Sequence, residues 1–197
     1  MCYSGVYIMC KKILNKIKSY FTKERIIQVC IAWGLIIGII LFDQLTKLYF
    51  VNNYKVGESK EIIKGFFNFT LYYNDGMAFS WLSGKMELLA WISLIAGILL
   101  SYGIKYFDLN NRKLLLYNLA VVFIIGGCFG NMIDRFFRSD LGVVDFLDPK
   151  FVNFAVFNVA DSFLTVGAIL LAIYVVFIYK EPDKKKKEEV KEEAYLD

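Results

Sequence analysis

Histidine is absent from all 197 residues. That absence excludes HExxH and Cys2His2 metal sites and any Ser-His or Cys-His nucleophile. Acid–base chemistry must therefore run on carboxylates, lysine or tyrosine. Cysteine is scarce too: Cys2, Cys10, Cys30 and Cys128 show no CxxC spacing, so no thiolate zinc site is expected. Cys30 and Cys128 fall inside apolar runs and read as small core residues.

What the chain has in excess is apolar surface. Hydrophobic residues make up 57% and aromatic residues 17%, and the mean hydropathy of +0.48 is too high for an ordinary soluble domain. Four runs reach membrane length, about 20 residues each: 26–49, 87–107, 114–137 and 157–179. The first begins too late, and runs too long, to be a cleaved signal peptide. The expected fold is an all-α membrane protein with four transmembrane helices.

Basic residues give the orientation. Lys11, Lys12, Lys16, Lys18, Lys23 and Arg25 precede the first span, and Lys105, Arg112 and Lys113 lie between the second and third. Lys180, Lys184 to Lys187 and Lys191 follow the fourth. An even number of spans puts both termini on one side, and the positive-inside bias makes that side cytoplasmic.

Alternating direction then gathers the polar exceptions. Span one runs outward for 17 residues, Ile26 to Phe42, before Asp43 appears. Span three runs outward for 20 residues before Asp134 and Arg135. Span four runs inward from Asp161, and its next 18 residues cover about 27 Å, close to the full hydrocarbon thickness. All these groups land near the extracytoplasmic surface. Ionisable residues at such depth usually have a function.

Spacing within the spans is helical. Asp43 and Lys47 are i, i+4, with the acid N-terminal to the base. Asn131 shares a face with Asp134 and Arg135, and Asn158 shares one with Asp161. Gly126, Gly127 and Gly130 precede Asn131 and suit close helix packing. Between spans one and two, "EIIKGFFNFTLYYNDGMAFS" has strand-like content and an Asn-Asp-Gly turn signal at 74–76. A small extracytoplasmic β-sheet is expected there, with Phe66, Phe67 and Trp81 resting on the bilayer surface.

Five motifs occur in order: "DQLTK" (43–47), "NDGMAFS" (74–80), "GGCFGNMIDR" (126–135), "VVDF" (143–146) and "FNVADS" (157–162). Together, across residues 30 to 178, they resemble the lipoprotein signal peptidase family, also called signal peptidase II. These are bacterial membrane aspartic proteases that remove signal peptides from prolipoproteins. The resemblance implies a catalytic pair of Asp145, in a loop, and Asp161, at a helix end. It implies that Asn74, Asn131, Arg135 and Asn158 shape the site or engage substrate, that Asp134 supports it by holding Arg135, and that Asp43 and Lys47 lie near the substrate channel.

The implied substrate is a prolipoprotein whose cysteine carries diacylglycerol, cleaved just before that cysteine at the outer face of the bacterial cytoplasmic membrane. Neither metal nor cofactor is implied. Partners are the prolipoprotein and membrane lipid, with no nucleic acid, and the protein is expected to be a monomer. Two close carboxylates cannot both ionise cheaply, so one keeps a proton while its partner acts as base.

Plainer readings stand beside these. On position alone Asp161 fits a helix cap, Asp145 is an ordinary loop acid, Asp134–Arg135 fits a structural ion pair, and Asp43–Lys47 reads first as structural. Asp140 and Asp148 read as solvated loop residues. No GxGD or D-T/S-G run is present, which excludes presenilin-like and pepsin-type proteases. A Ser-Lys pair drawn from Ser80 or Ser83 with Lys85 or Lys47 stays open. A proton-coupled transporter would place its acids near the midplane and carry internal repeats, and a non-catalytic scaffold would tolerate replacement of the acids. Residues 1–25 read as a basic cytoplasmic extension, including an amphipathic "KKILNKIKSYF". Residues 26–179 read as the peptidase domain and 180–197 as a charged cytoplasmic tail.

Overall fold

The structure, a computed structural model, describes residues 22–75, 85–138 and 141–179, besides the single positions Tyr7 and Lys11. The amphipathic stretch after Lys11, the charged tail, Trp81, Ser80, Ser83 and Asp140 lie outside the described residues. Among the described residues, four helices are long and apolar enough to cross a membrane: Lys23–Asn53, Met86–Tyr106, Arg112–Phe137 and Val159–Ile178.

Helix α1 (Lys23–Asn53) is N-capped by Thr22, whose side chain accepts from the Arg25 amide. Its buried residues are Ala32, Ile36, Ile39, Asp43, Lys47 and Phe50, a stripe at three- and four-residue spacing. Apolar side chains on the other face, such as Leu41, Phe42 and Leu45, are exposed, as a lipid-facing surface requires. Helices α2 (Met86–Ser101), α3 (Leu115–Phe137) and α4 (Val159–Ile173) follow. Helix α3 is the hub that packs against α1, α2 and α4. Its contact with α4 is close because Gly127 carries no side chain: a Cβ there would sit 2.4 Å from the Ala160 carbonyl oxygen.

A three-stranded antiparallel sheet, in the order β1 (Ser59–Ile63), β2 (Phe67–Asn74), β3 (Val143–Pro149), caps one end of the bundle. The sheet expected between spans one and two exists, and a third strand from between spans three and four completes it. That strand is the segment read from sequence as an outer loop. Its run VVDFLDP is buried on both faces, so it lacks the apolar–polar alternation that marks a half-exposed strand. The hairpin turn falls at Lys64–Phe66, where Gly65 has a φ of 65°; the Asn-Asp-Gly signal instead falls where β2 ends.

Phe50 at the end of α1 joins Leu71, Val144 and Phe146 in the core beneath the sheet, with the Phe50 and Phe146 rings stacked at 4.1 Å. Phe66 is exposed and stacks on Phe151 at 4.3 Å. Asp148 is not a solvated loop acid. It is buried on β3, accepts from Thr70 Oγ1 at 2.5 Å and pairs with Lys150 at 2.7 Å. Cys30 is exposed on α1 and not in the core. At the opposite end of the bundle, Arg25 Nη2 donates to the Ile104 carbonyl at 2.6 Å and Asn118 Nδ2 to the Asp108 carbonyl at 2.7 Å, satisfying chain ends that lack helical partners.

Gly127→Ala is expected to destabilise the protein by about 1–3 kcal/mol, because backbone must shift to admit one methyl group. A lowered thermal-unfolding midpoint in detergent is the measurement that checks it.

Candidate active site

The polar residues gathered by the sequence meet where the sheet closes over α3 and α4. Asn158 is the N-cap of α4 and Asp161 its third residue, and the two form a reciprocal capping box. Asn158 Oδ1 accepts from the Asp161 amide at 2.9 Å, while Asp161 Oδ2 accepts from the Asn158 amide at 3.2 Å. The plain cap reading of Asp161 is thus true of its geometry, and it does not exhaust it.

The Asn158 side chain also donates through Nδ2 to Asp145 Oδ1 at 2.7 Å and to Asn131 Oδ1 at 3.0 Å. One residue therefore bonds both carboxylates. Asn131, on α3, donates to Asp161 Oδ1 at 2.6 Å. Asn74, at the end of β2, donates to Asp145 Oδ2 at 3.1 Å. Close to that contact Gly142 has a φ of 108°, and a Cβ there would meet the Asn74 carbonyl oxygen at 2.6 Å. Glycine is required at this position, which sequence reasoning missed; its place just before "VVDF" was the available signal.

A cavity of about 570 Å³ opens beside these groups. Asn74, Asn131, Arg135, Asp145 and Asp161 supply its polar wall, while Phe154, Phe157, Leu164 and Val166 are among its apolar lining. Cys128 also lines this cavity and is not a core residue. Arg135 Nη1 donates to Ser93 Oγ at 3.1 Å, and its buried Nε has no hydrogen-bond partner among the described residues. Burial, reinforced by the neighbouring Asp161 carboxylate, pushes the Asp145 carboxyl up to about 8.

Contrary to the expectation from the resemblance, Asp134 makes no ion pair with Arg135 among the described residues. Its partners are Lys47 at 2.8 Å and Arg138 one turn along the helix. Asp43 and Lys47, expected near a substrate channel, are fully buried behind Asn131 and off the cavity wall. Lys47 Nζ contacts Asp43 Oδ2 at 2.8 Å and Asn131 Oδ1 at 2.9 Å. With Lys47 held this way, it is not available to a Ser-Lys pair. The acids also cluster at one end of the bundle, unlike the midplane site of a transporter.

Two carboxylates share one cavity wall within a bundle of four membrane-length helices, the arrangement expected of a membrane-embedded peptidase of aspartic type. Residues 35–177 match the family described as Signal peptidase (SPase) II. The lipoprotein signal peptidase of Trichormus variabilis is 45% identical over 144 residues, covering 72% of this chain and 85% of that protein. The Lactobacillus johnsonii lipoprotein signal peptidase is 41% identical over 140 residues, with coverages of 71% and 88%, and that of Staphylococcus aureus strain Newman is 35% identical over 176, with coverages of 88% and 99%. A bacterial membrane enzyme solved by the in meso method at 2.3 Å resolution superposes with a TM-score of 0.66 at 33% identity, covering 77% of this chain and 93% of that one. The chain belongs to the signal peptidase II family.

Asn158→Ala is expected to cost about 1–3 kcal/mol, since it removes a helix cap and leaves a buried carboxylate oxygen without its donor. Thermal unfolding beside Asn158→Ser, which retains a capping oxygen and loses less, checks this.

Proposed function

We propose that this peptidase hydrolyses the bond just before the diacylglyceryl-bearing cysteine of prolipoproteins, with Asp145 and Asp161 as the catalytic pair. The observation that carries the reading is Asn158, hydrogen-bonded to both carboxylates on one cavity wall. A carboxyl pushed up to about 8 enters the reaction protonated at neutral pH. Asp161, in the first turn of α4 and accepting from the Asn158 amide and from Asn131 Nδ2, is assigned as the base, and Asp145 as the acid.

Asp161 takes a proton from water as the water oxygen bonds to the scissile carbonyl carbon. Asp145 gives its proton to the carbonyl oxygen, producing a tetrahedral diol. Collapse breaks the C–N bond: a diol hydroxyl returns its proton to Asp145, and the proton on Asp161 passes to the leaving amine. Water and the two carboxyls account for every proton. Arg135 and Asn74 flank the pair on the cavity wall and are assigned to substrate carbonyl groups.

The predominantly apolar remainder of the cavity suits a substrate anchored by lipid. We place the sheet end at the extracytoplasmic face of the bacterial cytoplasmic membrane and both termini in the cytoplasm. The enzyme acts as a monomer, with residues 26–179 as the peptidase domain between a basic extension and a charged tail. The basic residues before span one and after span four support this orientation.

Asp145→Asn and Asp161→Asn are each expected to lower cleavage of a diacylated lipobox peptide by about 10³-fold or more, the scale of lost acid–base catalysis, while both variants stay folded. Asp148→Asn, which alters an acid remote from the cavity, should keep activity within a few-fold. Cleavage by either dyad variant at the wild-type rate overturns the assignment.

The pH profile gives a separate check. The Asp145 proton is present below its pKa and lost as pH rises through about 8. The rate of wild-type cleavage should therefore fall about tenfold per pH unit well above that point. A rate flat to pH 10 contradicts the acid role.

A further inference from the structure

Lys47 plays no part in the chemistry described above, yet it is a completely buried cation. We infer that Lys47 is a positioning residue of this reaction, fixing the Asn131 amide so that it donates to Asp161. The inference rests on the reading of Asp145 and Asp161 as the catalytic pair.

An ammonium group has three N–H donors and no acceptor. Lys47 Nζ meets three oxygens: Asp43 Oδ2 at 2.8 Å, Asp134 Oδ2 at 2.8 Å and Asn131 Oδ1 at 2.9 Å. Asn131 must offer oxygen to the lysine, so its Nδ2 can only turn the other way, to Asp161 Oδ1 at 2.6 Å. A flipped amide would face N–H against the ammonium and against Asn158 Nδ2, and oxygen against a carboxylate. Lys47 reaches Asp161 in a second way. Asp43, paired with it, accepts from the Ala160 amide at 2.8 Å in the first turn of α4. Span one thereby holds the helix end from which Asp161 projects.

The charge is balanced locally. Lys47 and Arg138 offset Asp43 and Asp134. Apolar residues of like volume often replace a buried ion pair without loss of stability. A role in orienting Asn131 gives the pair a reason to be charged.

The charged and titratable groups facing Asp145 are Lys47 from α1, Arg135 from α3 and Asp161 from α4, with Tyr72 beside it across the sheet. Removing Lys47 takes away a positive charge that opposes proton binding at Asp145.

The test is Lys47→Met combined with Asp43→Asn, which leaves Asp134 paired with Arg138 and the cluster neutral. With purified full-length protein and a diacylated lipobox peptide, kcat is expected to fall about a hundredfold, the scale of a misplaced catalytic group. KM should stay within about threefold and the alkaline limb of the pH profile should move to higher pH. Thermal unfolding should remain close to wild type.

A folded double variant with kcat near wild type overturns the inference. So does a lowered kcat with an unmoved pH profile, or a charge-balanced variant that fails to fold, since either makes Lys47 purely structural. Asp145→Asn and Asp161→Asn are assayed in parallel: activity in those variants overturns the dyad reading itself, whatever Lys47 does.

Discussion

A hydrogen-bonded chain runs from the Lys47 ammonium through Asn131 and Asn158 to Asp145, and all four residues are buried. Buried polar groups left unpaired cost several kcal/mol, so such a chain is stable only when every member is satisfied. This constraint shapes the end of the bundle. It demands side chains from α1, α3, β3 and α4 at one point, and each element arrives there by ordinary means. The buried stripe of α1 carries Lys47 to the end nearest the sheet, the capping box sets Asn158, and strand pairing sets Asp145. Satisfying the network and assembling the site are the same event.

The apolar part of the fold serves this end. Helix α3 touches the other three helices, and its face toward α4 is bare enough at Gly127 for near backbone contact. Close approach brings Asn131 within 2.6 Å of Asp161. A wider helix separation would leave room for water between them and loosen the pair. Above, the stacked rings of Phe50 and Phe146 seat β3 on the end of α1, which fixes the height of Asp145.

Much of this was legible in the sequence, for reasons that can be named. The four spans follow from length and hydropathy, and the gathering of Asp43, Asp134 and Asp161 follows from alternating direction alone. The i, i+4 spacing of Asp43 and Lys47 is a real contact. What sequence could not give was tertiary partnership. Asp134 sits beside Arg135 in the chain, yet adjacent residues on a helix point apart, and Lys47 of another span takes its place. Strand β3 hid because both its faces are buried, which removes the periodicity that marks strands. Asp148 reads as exposed from its Asp-Pro-Lys context, and only Thr70 on the neighbouring strand brings it inside. The two aspartates of the cavity wall are an intermediate case: Asp161 is marked by depth, whereas Asp145 is marked only by family resemblance.

Strand β3 is pinned to the start of α4 by reciprocal bonds between Leu147 and Phe157, at 2.8 and 3.0 Å. Asp145 and Asp161 are thus tied by a short stretch of chain, and closing so small a loop costs little entropy. The bond from Asp43 to Ala160 bridges a sequence separation of 117. During synthesis these two closures differ in timing as well as cost. Both acids emerge from the ribosome nearly together and late, after three spans are already made. With Asp145 and Asp161 as the proposed pair, a nascent chain lacks both acids through most of its own translation.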